Sequence, residues 1–227
     1  MQDNGIERIS PPVSPLAFSD VWTDGFEGDP WSRGWNTADY SITASTDYWH
    51  IDTYNAFAGN SWWCGTLTEY PTPGYGNLWN QFMSIDVDLT TATAPCTMTF
   101  WHRYDVENGW DFCAIDIFHD GQWELNWQQW TGDSGGWVNV NLDLSPFVGQ
   151  QIKVRFRFNS DPLFSDEDNN YDSSGAWYWD EFKIYDSTNI YIYDDVESGN
   201  IGWTINGQVG NYWFCLLYTS PSPRDQA

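Results

Sequence analysis

Residues 98–117 read MTFWHRYDVENGWDFCAIDI, two runs with apolar side chains at nearly every second position, joined by a polar turn around Asn108 and Gly109. Such a period of two cannot sit on a helix, and so many large aromatics on one face demand a partner layer. The spacing predicts a β-hairpin here. A second segment alternates more strictly, with Ile152, Val154, Phe156 and Phe158 on one face and Lys153, Arg155 and Arg157 on the other. Asp120-Gly121 is a two-residue hairpin signal. Strands are predicted at 47–52, 82–89, 97–105, 111–119, 122–130, 137–143, 152–159 and 177–186, and no helix of ordinary length shows the helical period. The fold class is all-β, a two-sheet antiparallel sandwich of jelly-roll type.

Eight Lys plus Arg stand against 32 Asp plus Glu, a formal charge of -24. That balance repels nucleic acid and anionic lipid, so neither a nucleic-acid partner nor direct membrane insertion is expected. Disordered acidic chains are poor in aromatics, whereas this one has 17 Trp, 13 Tyr and 13 Phe and is 41% hydrophobic, enough for a packed core. No run approaches the roughly 20 apolar residues of a membrane span, and no signal peptide follows Met1. With Cys215 set aside, Cys64, Cys96 and Cys113 match no zinc spacing and are expected to be free and buried.

Residues 1–17, with Pro11, Pro12 and Pro15, read as a linker, and 18–187 as one module. Phe26-Glu27-Gly28-Asp29, Gly34-Trp35 and Tyr48-Trp49 are echoed in order by Val196-Glu197-Ser198-Gly199, Gly202-Trp203 and Tyr212-Trp213. The echo predicts that 190–214 opens a second, truncated copy. Residues 215–227, CLLYTSPSPRDQA, break the pattern abruptly, resemble a translated adapter sequence, and are expected to be a non-native tail.

Several side-chain groups invite chemistry. Lys153, Arg155 and Arg157 are expected to pair across the sheet with carboxylates such as Asp116 and Glu124, with Arg103 in the same network. Asp166, Asp168, Asn170 and Asp172 alternate like early calcium-loop ligands, but Tyr171 and Trp177 stand where an EF-hand needs Gly and Glu, which favours a mobile solvated loop over a cation site. There is no HExxH, no GxSxG and no glycine-rich phosphate loop. His50, His102 and His119 are scattered, and His102 is expected to be a satisfied core residue. Trp62, Trp63, Tyr70, Tyr75 and Trp79, and the Trp127/Trp130 pair, are candidates for stacking on sugar rings; the alternative is that they pack on the sandwich edges.

The order FEGD…GW, YWHI, SWWCG, FWHRYDVENGWDF, DG, WVNVNLDLSPFVGQQIKVRFRFNSD and WYWDEFKI resembles the MAM-like jelly-roll domain of immune inhibitor A type secreted metallopeptidases and related bacterial surface proteins, from about Phe18 to Ile184. The resemblance implies a concanavalin-like sandwich without its own active site, in a secreted or cell-surface protein. It also implies a structural Ca²⁺ where the first strand meets the last, held by Glu27, Asp29, Asp180 and Glu181, the last standing where the family has a second Asp. Glu197 would open the equivalent site of the second copy. The expected function is a non-catalytic adhesion or accessory module. Its expected partners are neighbouring domains of the same polypeptide and extracellular glycan or protein; the alternatives are a structural spacer or a glycoside-active enzyme.

Overall fold

The computed structural model describes residues 48–67 and 73–209. Eleven strands form there: β1 (Trp49–Asp52), β2 (Ser61–Cys64), β3 (Trp79–Asp88), β4 (Thr97–Asp105), β5 (Phe112–His119), β6 (Gln122–Trp130), β7 (Val138–Asp143), β8 (Gln151–Asn159), β9 (Ala176–Tyr185), β10 (Ile190–Asp194) and β11 (Thr204–Val209). One sheet runs β1-β2-β9-β4-β7, with β10 also on β9; the other runs β11-β3-β8-β5-β6. Every pairing is antiparallel. The two sheets face each other across an apolar core, as the alternation requires.

β8 shows how sequence sets position. Its even-numbered residues Ile152, Val154, Phe156 and Phe158 are buried, while Lys153, Arg155 and Arg157 lie on the outer face. There Asp116, with a fully buried side chain, accepts from Arg155 Nε at 2.8 Å, Arg157 Nε at 2.7 Å and Asn126 N at 2.8 Å. Burial alone would raise the Asp116 pKa, but these donors outweigh it and hold the carboxyl below its usual value. Lys153 pairs with Asp86 at 3.0 Å, whereas Glu124 pairs with His119 at 3.3 Å rather than with an arginine. Arg103 is on β4 of the other sheet, so it cannot join this network, and its buried Nε has no hydrogen-bond partner.

The Asp120-Gly121 turn forms as expected, both residues at positive φ (49° and 78°), and joins β5 to β6. The expected hairpin over 98–117 does not form. Both edges of β4 are occupied by β7 and β9, and both edges of β5 by β6 and β8, so the two strands belong to opposite sheets and 106–111 crosses between them. Cys113 accordingly pairs with Trp130 of β6 and Phe158 of β8. Cys64, Cys96 and Cys113 are free and buried, and burial raises all three thiol pKa values.

The described part of 190–214 lies within this sandwich. β10 pairs with β9, β11 pairs with β3, and Trp203 is buried against Trp179, Phe182 and Phe156 at ring-centroid distances of 5.1, 5.3 and 5.7 Å. Residues 1–17 and 215–227 fall outside the described residues. Trp203→Ala should therefore cost about 3–5 kcal/mol in denaturant unfolding, as a large-to-small core change does. Trp110→Ala, at a position 64% exposed, should stay within about 0.5 kcal/mol of the parent. A silent Trp203→Ala would detach this segment from the core.

Candidate metal centre

β9 carries the apolar positions Trp177, Trp179, Phe182 and Ile184 on the core side, so its inward phase slips by one residue between 179 and 182. The slip is a bulge: the β4 register jumps between Thr99 and Trp101, and Glu181 sits at φ 53°. Asp180 is thereby buried against the β1–β2 connection. Its Oδ2 accepts from Ser61 Oγ at 2.9 Å and Ala58 N at 3.3 Å, and its Oδ1 from Glu181 N at 2.7 Å. Burial pushes its pKa up to about 6, against the pull of these hydrogen bonds and with a push from the Glu181 charge.

Glu197 reaches the same connection from the other side. Its two oxygens accept from Asn60 N at 2.8 Å and Asn60 Nδ2 at 3.0 Å. A Cβ on Gly59, whose φ is 55°, would stand 2.1 Å from Glu197 Oε1, so only glycine permits this approach. Val196, buried and β-branched, is held at φ 63°, an outlier that turns the chain into Glu197. Two carboxylates thus converge on residues 58–61. The donor set is oxygen throughout, which suits a hard cation such as Ca²⁺.

Of the four expected ligands, Asp180 is at this centre, while Glu27 and Asp29 lie outside the described residues. Glu181 is turned away, its Oε2 accepting from Tyr193 OH at 2.7 Å. The carboxylates of the 161–175 loop organise that loop rather than leave it solvated. Asp166 accepts from Tyr75 N, Ser173 N and Ser173 Oγ, and Asp168 from Phe164 N, Ser165 N and Asn170 N.

Of the two readings of the aromatics at 62–79, stacking on a ligand or packing, burial favours packing. Trp62, Trp63, Tyr75 and Trp79 are at most 2% exposed and offer no face to a ligand. Trp63 stacks on Tyr178 at 5.4 Å, Trp79 on Tyr48 at 3.6 Å, and the Tyr75 hydroxyl donates to Asp111 at 2.6 Å. Trp127 and Trp130 are half-buried, packed on Phe147 and His102. Tyr70 is outside the described residues. The exposed aromatic groove lies elsewhere, about 380 Å³ lined by Phe57, Trp101, Tyr193, Asn139, Glu181 and Lys183 among others. Its signal was present in β4, where inward Met98, Phe100 and His102 leave Trp101 facing out.

The three histidines stand on separate strands, β1, β4 and β5. His102 is in the core, among Phe100, Tyr104 and Trp130, but its buried Nδ1 has no partner, so it is not satisfied as expected. Burial lowers its pKa to about 3. A histidine depressed in the fold contributes stability above its unfolded pKa, near 6.5, and loses it as pH falls toward the folded value. Between pH 7 and 5 the parent should lose about 2 kcal/mol relative to His102→Phe, read from denaturant midpoints in EDTA. A parallel pH course for the two proteins would refute a buried neutral imidazole.

No family model matches the chain. A stretch of 91 residues, 39% of the chain, is 29% identical to Bacillopeptidase F of Bacillus subtilis (strain 168), of which it covers 6%. The similarity thus concerns a small part of a much longer protein that is a peptidase by name. Among the described residues no helix is long and apolar enough to cross a membrane.

Proposed function

We propose that this chain is a non-catalytic accessory module of a larger secreted or cell-surface protein, of MAM-like type, closed by a structural Ca²⁺ between Asp180 and Glu197. The convergence of these carboxylates on Ala58–Ser61 carries the reading. A sandwich whose interior is filled by aromatic side chains leaves little room for a reaction cleft, and the partial similarity to a much longer peptidase suits a part with neighbouring domains as its first partners. By the internal echo, Glu197 takes the role expected of Glu27. The cation would bind the two carboxylates, with carbonyl oxygens of the same connection as the natural source of further ligands.

The test is thermal unfolding in excess Ca²⁺ and in EDTA. Occupancy at 100 times the dissociation constant adds about 2.7 kcal/mol, several degrees for a domain of this size. Asp180→Asn and Glu197→Gln should each remove about that amount from the rise. A midpoint indifferent to calcium in the parent would sink the proposal.

A second reading is a module that binds glycan at a surface, and the groove favours it. Phe57 and Trp101 stack at 4.7 Å beside Asn139, Glu181 and Lys183, the mixture of flat apolar face and hydrogen-bonding groups that suits a sugar ring. Trp101→Ala should weaken retention on an immobilised polysaccharide at least tenfold while leaving the calcium response intact. Equal retention of parent and variant across a polysaccharide panel would leave the spacer reading in place.

A further inference from the structure

The crossing between the sheets, residues 106–111, brings Glu107 and Asp111 against Asp161, which follows β8. One carboxylate oxygen from each lies within 4.8 Å of the others. Asp111 is fully buried, accepting from Tyr75 OH at 2.6 Å and Asp161 N at 2.8 Å. The same tyrosine oxygen accepts from Glu107 N at 3.0 Å, so one hydroxyl ties two of the three residues together. Among the described residues no Lys or Arg forms an ion pair with any of the three.

Two buried acceptors in this region lack donors. Glu107 Oε2 is one, and Asn77 Oδ1, on a residue only 4% exposed, is the other. Asn77 is seated against the cluster's own segment: its Nδ2 donates to Asp168 Oδ2 at 3.3 Å, and the next peptide, Leu78 N, donates to the Asp161 carbonyl at 2.8 Å. The amide nitrogen is thus taken up by the 161–168 loop and the amide oxygen is left over. Orphaned buried oxygens are costly, and so is the crowding of three carboxylates. An oxygen-coordinated cation answers both, with no His or Cys in the set to favour a softer metal.

We propose that Glu107, Asp111 and Asp161, with the Asn77 side-chain oxygen, form a second Ca²⁺ site, separate from the Asp180–Glu197 centre. It pins the crossing to the loop after β8, and so couples the two sheets at that end. Burial of Asp111, with the charges of Asp161 and Glu107 adding to it, pushes the Asp111 pKa up to about 7.

Calorimetric titration of the full chain with Ca²⁺ at pH 7.5 tests this, using Glu107→Gln and, separately, Asp180→Asn. Glu107→Gln removes charge at an oxygen with no donor to lose, so the fold should persist. Two calcium ions per chain are expected, with Glu107→Gln weakening one at least tenfold and Asp180→Asn the other. In EDTA the Glu107→Gln midpoint should equal or exceed the parent's, and in calcium it should fall below it; a purely structural role for Glu107 would lower both. An unchanged calcium titration in Glu107→Gln overturns the second site. A parent that binds one ion, lost in Asp180→Asn, overturns it too while leaving the first centre standing. A parent that binds none overturns both.

Discussion

Phe156 is the ring on which the two sheets meet. It sits at the middle of β8, between β3 and β5, and touches rings from the opposite sheet and beyond: Trp179 at 5.0 Å, Phe100 at 5.2 Å, Trp177 at 5.4 Å, Trp203 at 5.7 Å and Phe182 at 5.8 Å. Aromatic pairs add about 0.5–1.5 kcal/mol each beyond the area they bury, so five around one ring fix the sheet spacing and the relative slide of the layers. The same cluster explains why 194–209 is drawn into the sandwich. Trp203 fills the side of it that β4 and β9 leave open, and β11 then follows along the free edge of β3.

The bulge in β9 follows from that core. Strict alternation from Trp177 and Trp179 would send Glu181 and Lys183 inward and Phe182 and Ile184 out. One slipped residue restores Phe182 and Ile184 to the interior, at the cost of a non-glycine residue in left-handed backbone, about 1–3 kcal/mol. The slip leaves two adjacent acids free of the alternation. Asp180 is buried under the β1–β2 connection, and Glu181 lines the outer groove beside Tyr193. Hydrophobic packing thereby places the carboxylate of the candidate metal centre.

Much of this was legible in the sequence because alternation reports faces directly. β8, the Asp120-Gly121 turn and the Arg–Asp116 pairing were all readable from 116–158. Alternation does not report partners, however, and the 98–117 segment shows the gap: both strands are real, but β4 pairs with β7 and β9, and β5 with β6 and β8, never with each other. The aromatics at 62–79 left two readings open for a related reason. Gly and Pro nearby signal turns, yet whether a Trp beside a turn points in or out depends on β9, more than 90 residues later. The β9 bulge was readable in principle, since WYWDEFKI breaks a period of two at Asp180-Glu181.

A formal charge of -24 suggests a uniformly solvated acidic surface, but the acids divide by what they accept from. Asp166, Asp168 and Asp186 are loop staples; Asp186 alone takes Thr93 N, Thr188 N, Asn189 N and Tyr191 OH, and these donors, the tyrosine first, draw its pKa far down. Asp116 is held down by two arginines. A third set is displaced upward: Asp111, Asp161, Glu107 and Asp180, each raised first by burial. An acid supplied with donors stabilises the fold as a charge, whereas an acid buried without enough of them stabilises it only when something positive arrives. Sorting the carboxylates by that rule, rather than by their spacing in the sequence, separates the alternating acids at 166–172 from Asp111, Asp161, Glu107 and Asp180, whose charge the fold supports least.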